Sequence, residues 1–559
     1  MEKVWLEHYP RGVVHEISED NRTLNDLLDE VCAKYPNNRA ITSHNESISF
    51  ATFQKYVNNF AASLAHLGVG HGDRVAVILP NIMQYPISIF AILRLGAVVV
   101  NINPLYTEHE IDYLLENSGC KIVVVLNLIA AKLDKLYSKH HLEHVIVTQI
   151  PDPYPYLKRL FMNFAIRYIK KRSGVYSYKA QNFRELMLCR PRASTVMPKT
   201  HCHDLAFIQY TSATTGKPKG AMLLHKNIVA NINQVHAWLV PQISNLDQQV
   251  VINALPLYHI FSLTANLFTF LFTGSENIMI LNPHDTADMV KILNQSKFTI
   301  FSALDTLYSH LLQSKEFKSH KYPAFKYSVA GGMASRESVM REWFAVTKVM
   351  PTNCYGLTEA SPAVTLNPLD NSYDGTVGYP MPSTDLEIRD LATGKVLNLG
   401  EAGLVWVKGP QIMEGYWHNP EQTQLAFDMN GWFNTHDIGY LSKEGKLTLV
   451  SRYSDMIIVS GFNVYPAEVE AVLDTFVEVH ESAVLGVKHA ATGEMIVAFL
   501  VLKPGYTVSA QEVITRCHHD LSGYKVPSKI YFVNSLPKTL IGKVDKKALA
   551  ATMPEATDN

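Results

Sequence analysis

Short apolar runs alternate with helical stretches along most of this chain, and that alternation restricts its fold more than any other feature. A helical pattern over residues 51–67 precedes an apolar strand at 74–79. A helix near 85–95 is followed by strands at 97–100 and 121–126. Strand and helix units continue through 250–255, 299–301 and 327–329, without an internal repeat. Strands that are apolar on both sides need cover on both faces, so the pattern predicts α/β layering. At 559 residues the chain exceeds what one core organises, and at least two domains are expected.

The character changes near residues 447–459. Leu447-Thr448-Leu449-Val450 reads as a hairpin strand and Arg452-Tyr453-Ser454-Asp455 as a polar connector. A compact run follows: a helix at 466–475, strands at 482–487 and 496–502, a helix at 510–521 and a strand at 530–533. The expected division is a large domain at 1–451, a hinge at 452–455 and a small α+β domain at 456–559.

Hydrophobic residues make up 47% and charged residues 18%, which excludes a disordered chain. Lys+Arg number 50 against 51 Asp+Glu, so the charge balance gives no cause to expect nucleic acid. The cysteines are scattered without C-x-x-C pairs, as expected in a reducing cytoplasm, and His201-Cys202-His203 lacks a second ligand pair for a metal. The opening residues lack the basic start and apolar run of a signal peptide. The longest apolar stretches, 87–100 and 263–273, are interrupted by Arg94 and Gly96 or fall short of the roughly 20 residues that span a bilayer, and read as buried core.

The chemistry starts with a loop. Ala206-Phe207-Ile208-Gln209-Tyr210 is an apolar strand that runs into Thr211-Ser212-Ala213-Thr214-Thr215-Gly216-Lys217-Pro218-Lys219-Gly220. Backbone N–H groups, hydroxyls and mobile cations in one turn suit a polyphosphate. The Walker A spacing cannot be laid over it, and a plain Ser/Thr/Gly surface turn is the competing reading of the loop alone.

Other strings follow in order: Pro256-Leu257-Tyr258-His259-Ile260-Phe261, Ala330-Gly331-Gly332-Met333, Tyr355-Gly356-Leu357-Thr358-Glu359 and Trp432-Phe433-Asn434-Thr435-His436-Asp437. Ser460-Gly461-Phe462-Asn463-Val464-Tyr465-Pro466 and Pro537-Lys538-Thr539-Leu540-Ile541-Gly542-Lys543 complete the series. Singly, each has a bland reading: His259 as a satisfied core histidine, Glu359 as an acid at a helix N-terminus, Lys543 as solvated surface. Together, over about residues 22–549, they resemble the adenylate-forming superfamily of acyl-CoA synthetases, peptide-synthetase adenylation domains and luciferases.

That resemblance implies a large multi-sheet α/β N-terminal domain with the ATP and acyl sites, and a small mobile α+β C-terminal domain. It assigns the phosphates to Thr211, Ser212, Ala213, Thr214, Thr215, Gly216 and Lys219, and the adenine surroundings to Gly331, Gly332, Met333, Tyr355, Gly356 and Thr358. Glu359 and Thr214 would hold Mg²⁺, and His259 would position the acid. Asp437 and Arg452 would hold the ribose, with Ser454 as hinge residue. Ser460, Gly461, Phe462 and Lys525 would receive coenzyme A, and Lys543 would be the adenylation lysine. A cation delivered beside a carboxylate attacking the α-phosphate stabilises the charge that grows on the oxygens. The sequence departs from the superfamily's usual text at Ala213, Leu404, His436 and Ser454; the first two and His436 replace Gly, Glu and Gly. If position 213 needs a left-handed backbone, its methyl group costs about 1 kcal/mol and ATP affinity changes.

Substrate identity rests on residues 157–172. Lys158, Arg159, Arg167, Lys170, Lys171 and Arg172 occur there without an acid, and Leu157, Phe161, Phe164 and Tyr168 recur at helical spacing. Such a basic amphipathic helix can lie on the anionic inner face of a membrane, while the competing reading packs it on the large domain with its charges in water. With 256–261 and 460–470, the segment makes the chain look most like bacterial long-chain fatty acid–CoA ligases, which use ATP, Mg²⁺ and coenzyme A. Two alternatives stay open: an acyl-AMP ligase that loads a carrier protein, and a catalytically weak acyl-nucleotide-binding homologue. Oligomeric state is not legible, a homodimer being one option.

Overall fold

The computed structural model describes residues 3–165, 174–190, 197–211, 217–370, 372–460, 462–489, 492–539 and 543–553. The chain divides into two compact units, one of Trp5–Asp385 with Lys408–Phe433, the other of Met1–Val4, Leu386–Val407 and Asn434–Asn559.

The larger unit is built on two sheets. In the eight-stranded sheet the expected strands stand as Arg74–Ile78, Val98–Asn101 and Ile122–Leu126. Val98–Asn101 pairs in parallel with Leu205–Tyr210, which turns back antiparallel into Gly220–Leu224. Gly415–Tyr416 adds an edge strand beside Gly220–Leu224. In the nine-stranded sheet Val250–Asn253, Ile300–Ala303, Tyr327–Ala330 and Pro351–Gly356 are successive parallel neighbours, so the loops after them leave from one edge. Val98–Asn101, Ile122–Leu126 and Ile300–Ala303 are buried at every residue, which is why they read as mostly apolar runs broken only by Asn101 and Ser302.

The apolar stretch at 87–100 contributes to the helix Gln84–Leu93, buried along its whole length. Phe90 packs against Phe53, Phe268 and Phe272. Phe268 ends the π-helix Phe261–Phe268, within the second apolar stretch. No helix among the described residues is long and apolar enough to cross a membrane. The expected basic helix is present as Tyr156–Phe164, with Tyr156, Leu157, Leu160 and Phe161 more than half exposed. Arg167, Tyr168, Lys170, Lys171 and Arg172 lie outside the described residues.

In the smaller unit one sheet orders Asp385–Arg389, Gly403–Lys408, Phe433–Leu441 and Leu447–Arg452. The last strand extends past the predicted Val450 to Arg452, because pairing continues to Asp437 opposite Arg452. A five-stranded sheet carries the rest, centred on Val479–His489 and Gly493–Leu502. Side chains alternate across these strands. Val484, Ile496, Ala498 and Leu500 pack with the helices Pro466–Leu473 and Ala510–Asp520, while Ala483, Leu485, Val497 and Phe499 meet Leu536 and Leu549 behind.

Candidate active site

The phosphate-type loop is the connection of a β-hairpin. Tyr210 lies opposite Gly220, and Thr211 N donates to Lys219 O at 2.9 Å, closing the loop at its base. Ser212, Ala213, Thr214, Thr215 and Gly216 lie outside the described residues. Lys219 Nζ stands 4.5 Å from the centre of the Tyr416 ring and donates to Gln422 Oε1 at 3.4 Å.

The adenine-type and cation-type strings leave the C-terminal ends of adjacent parallel strands, where α/β sheets place their ligands. Gly331, Gly332 and half-buried Met333 follow Tyr327–Ala330, and Thr358 and Glu359 follow Pro351–Gly356, with Tyr355 buried near the end of that strand. Bulk is excluded here by the protein's own packing. A Cβ on Gly331 would stand 2.5 Å from Cys354 Sγ, and one on Gly356 would stand 2.4 Å from Pro362 O. The half-buried Glu359 carboxylate accepts from Tyr416 Oη at 2.8 Å through Oε1. Its Oε2 takes no hydrogen bond among the described residues. A carboxylate oxygen so presented, beside the strand that follows the phosphate-type loop, fits a divalent cation with hard oxygen ligands.

The His259 segment is held from below by buried amides. Asn81 Nδ2 donates to Asn253 O and Leu255 O at 2.9 and 2.8 Å, and Leu257 N donates to Asn81 Oδ1 at 2.9 Å. Gln209 Nε2 donates to Tyr258 O at 2.7 Å, and Tyr85 Oη donates to Leu257 O at 2.7 Å. His259 is half-buried, and its Nδ1 accepts from Phe261 N at 3.3 Å at the entry to the π-helix, a helix form frequent at functional sites.

In the smaller unit Asp437 and Arg452 are cross-strand partners, Arg452 Nε standing 3.2 Å from Asp437 Oδ1. Asp437 is 6% exposed and its N–H donates to Thr435 Oγ1, which donates to Val405 O. His436, between them, is exposed with φ of +56°, so a left-handed residue is built in where the superfamily has glycine. Lys543 O accepts from Thr539 N–H at 2.6 Å. Burial, with Arg452's charge added, brings the Lys543 amine down to about 8, against an opposing pull from Asp437. The three residues therefore share one electrostatic environment.

Further along, exposed Ser454 donates to Asp455 Oδ1 at 3.0 Å, and Ser460 has φ of +49°. Phe462 stacks on Tyr524 at 4.7 Å, and Lys525 Nζ donates to Glu468 Oε1 at 2.5 Å. Gly461 lies outside the described residues. Leu404 lies half-buried in the strand Gly403–Lys408. Cys202 Sγ lies 3.2 Å from His203 Nδ1 and 3.5 Å from Asn21 Oδ1, and no set of three metal-type ligands occurs among the described residues. Tyr416 and Asn81 are the residues that sequence reasoning passed over. Only the Gly415-Tyr416-Trp417 string, aromatic beside a glycine, signalled the first.

Residues 28–417 match the family model described as AMP-binding enzyme, and residues 468–543 match that of the AMP-binding enzyme C-terminal domain. The chain is 39% identical over 553 residues to a Long-chain-fatty-acid--CoA ligase of Yersinia pestis, covering 98% of each. It is 39% identical over 563 residues to one of Escherichia coli O157:H7, covering 100% of each. The crystal structure of ATP-bound MatB from Rhodopseudomonas palustris superposes with a TM-score of 0.82 at 29% identity, covering 95% of this chain and 99% of that one.

Proposed function

Because the chain belongs to the AMP-binding enzyme family, we propose that it joins a long-chain fatty acid to ATP as an acyl-adenylate and then passes the acyl group to coenzyme A. A free carboxylate is a poor acyl donor, since oxide would have to leave. Bonding its oxygen to the α-phosphorus expels pyrophosphate and makes AMP the leaving group when the thiol sulfur attacks the carbonyl carbon.

One observation carries the residue assignment: Asp437, Arg452 and Lys543 share one environment. Asp437 accepts from the ribose hydroxyls while Arg452 fixes its orientation. Lys543, protonated below about pH 8, steadies the charge that grows on the phosphoryl and carboxyl oxygens of the same nucleotide. Lys219 and the hydroxyls of the hairpin loop, Thr214 among them, bind the polyphosphate; a divalent cation held by Glu359 and Thr214 neutralises part of its charge. His259, seated by Gln209 and Tyr85 through its neighbours' carbonyls, orients the acid. Ser460, Gly461, Phe462 and Lys525 receive coenzyme A, and residues 452–455, with Ser454, act as the hinge between the half-reactions.

The exposed apolar side chains of Tyr156–Phe164, beside Arg159, support peripheral contact with an anionic membrane surface from which fatty acid is drawn. Lys158 contributes less, being paired with Glu46 at 3.0 Å.

The test is a panel of fatty acids of increasing length with ATP and Mg²⁺, scored for AMP and pyrophosphate with and without coenzyme A. Thioester formation with free coenzyme A is expected. Adenylate that accumulates without thioester would point to a carrier-protein acceptor, and an absence of AMP and pyrophosphate with every acid would sink the proposal.

A further inference from the structure

Tyr416 has been given no part in the reaction, yet it touches both charged groups that a polyphosphate site needs. Its edge strand pairs with Gly220–Leu224, Tyr416 lying opposite Ala221, and Trp417 N donates to Gly220 O at 2.8 Å. The main chain is thereby stitched to the residues that immediately follow Lys219. A second stitch, from Met413 N to Glu359 O at 2.8 Å, ties the same segment to the turn that carries Glu359. Between these two anchors the side chain has little freedom. It is 5% exposed, its Oη donates to Glu359 Oε1 at 2.8 Å, and its ring faces Lys219 Nζ at 4.5 Å.

A buried phenol needs an acceptor, and any backbone carbonyl would serve a residue that only fills space. Here the acceptor is a side-chain carboxylate, and the contact holds a single one of its oxygens in place. With Oε1 engaged, Oε2 is the oxygen left to face a cation. The electron-rich ring face meanwhile gives the Lys219 ammonium a seat at the base of the loop.

We propose that Tyr416 is a positioning residue for the cation and phosphate site: its hydroxyl decides which Glu359 oxygen meets a divalent cation, and its ring aims the Lys219 ammonium. The inference rests on reading Glu359 as the cation's carboxylate, so the two are tested apart. Mn²⁺ binding to the full chain is measured by electron paramagnetic resonance in the presence of α,β-methylene ATP, and metal-free binding of the same nucleotide by calorimetry.

Glu359→Gln tests the reading: lost Mn²⁺ affinity supports it, and parental affinity overturns it and the inference with it. Tyr416→Phe tests the inference. It keeps the ring over Lys219, so metal-free nucleotide affinity should hold while Mn²⁺ affinity falls about tenfold. Tyr416→Leu should weaken metal-free nucleotide binding as well. In a Glu359→Gln background Tyr416→Phe should add no further loss of Mn²⁺ affinity. Parental Mn²⁺ affinity in Tyr416→Phe, or a loss undiminished in the double variant, overturns the inference. Should Tyr416→Phe not fold, Tyr416→Leu is read for both ligands: a loss of Mn²⁺ affinity larger than its loss of metal-free nucleotide affinity supports the inference, and equal losses overturn it.

Discussion

Lys543 has an amine brought down to about 8, so it is charged at neutral pH and loses its proton within reach of ordinary assay buffers. In the proposed role the working form is the ammonium, so ATP–pyrophosphate exchange should fall as pH rises through about 8. Lys543→Arg, whose guanidinium stays charged, should remove that alkaline limb. Lys543→Ala should cost exchange about a hundredfold or more, while thioester formation from supplied acyl-adenylate is largely spared. Exchange at the parental rate would refute the assignment. At this scale the motifs made Glu359, Asp437 and Lys543 legible, because each is written into a short string. Tyr416 was not legible, since its partner Glu359 is 57 positions away and only the sheet edge brings them together. His436 was half legible: the sequence marks the departure from glycine, and the structure supplies the φ of +56° that makes the position demanding.

The elements that carry these residues were readable where apolar runs are short and closed on both sides, as in Val98–Asn101 and Ile300–Ala303. Ends defined by pairing were not. Val479–His489 runs beyond the predicted 482–487 because its ladder with Gly493–Leu502 continues into residues that are not apolar. The support of the His259 segment was equally hidden, since Asn81 reaches carbonyls 172 and 174 positions away. Asn81→Ala would leave the buried Leu257 N–H without its partner and take one of two donors from Asn253 O and Leu255 O, which keep Ile280 N and Ser262 Oγ; a destabilisation of about 1–3 kcal/mol is expected, read as a lowered midpoint in chemical denaturation. It should also raise KM for the fatty acid more than KM for ATP. An unchanged midpoint would show that the segment holds itself.

For the molecule as a whole, chain order understates how the units are assembled. Leu386–Val407 groups with Asn434–Asn559 because Gly403–Lys408 and Phe433–Leu441 are sheet neighbours, while the intervening Lys408–Phe433 returns to the larger unit and supplies Tyr416. No periodicity in the sequence announces that return. The helix Tyr156–Phe164 belongs to this scale too, because Tyr156, Leu157, Leu160 and Phe161 are more than half exposed along it. Replacing Leu157 and Phe161 together by Ser should cut co-sedimentation with anionic vesicles severalfold and leave turnover of a soluble short-chain acid unchanged. Equal sedimentation of parent and variant would remove the membrane reading.

The hydrogen bond from Thr211 to Lys219 makes the turn between them a cul-de-sac: the polypeptide leaves the sheet and re-enters it at one point. Departures from the superfamily's text between Thr211 and Lys219, of which Ala213 is one, are thereby insulated from the register of the strands on either side. Sequence change in that stretch is thereby uncoupled from the scaffold that carries it.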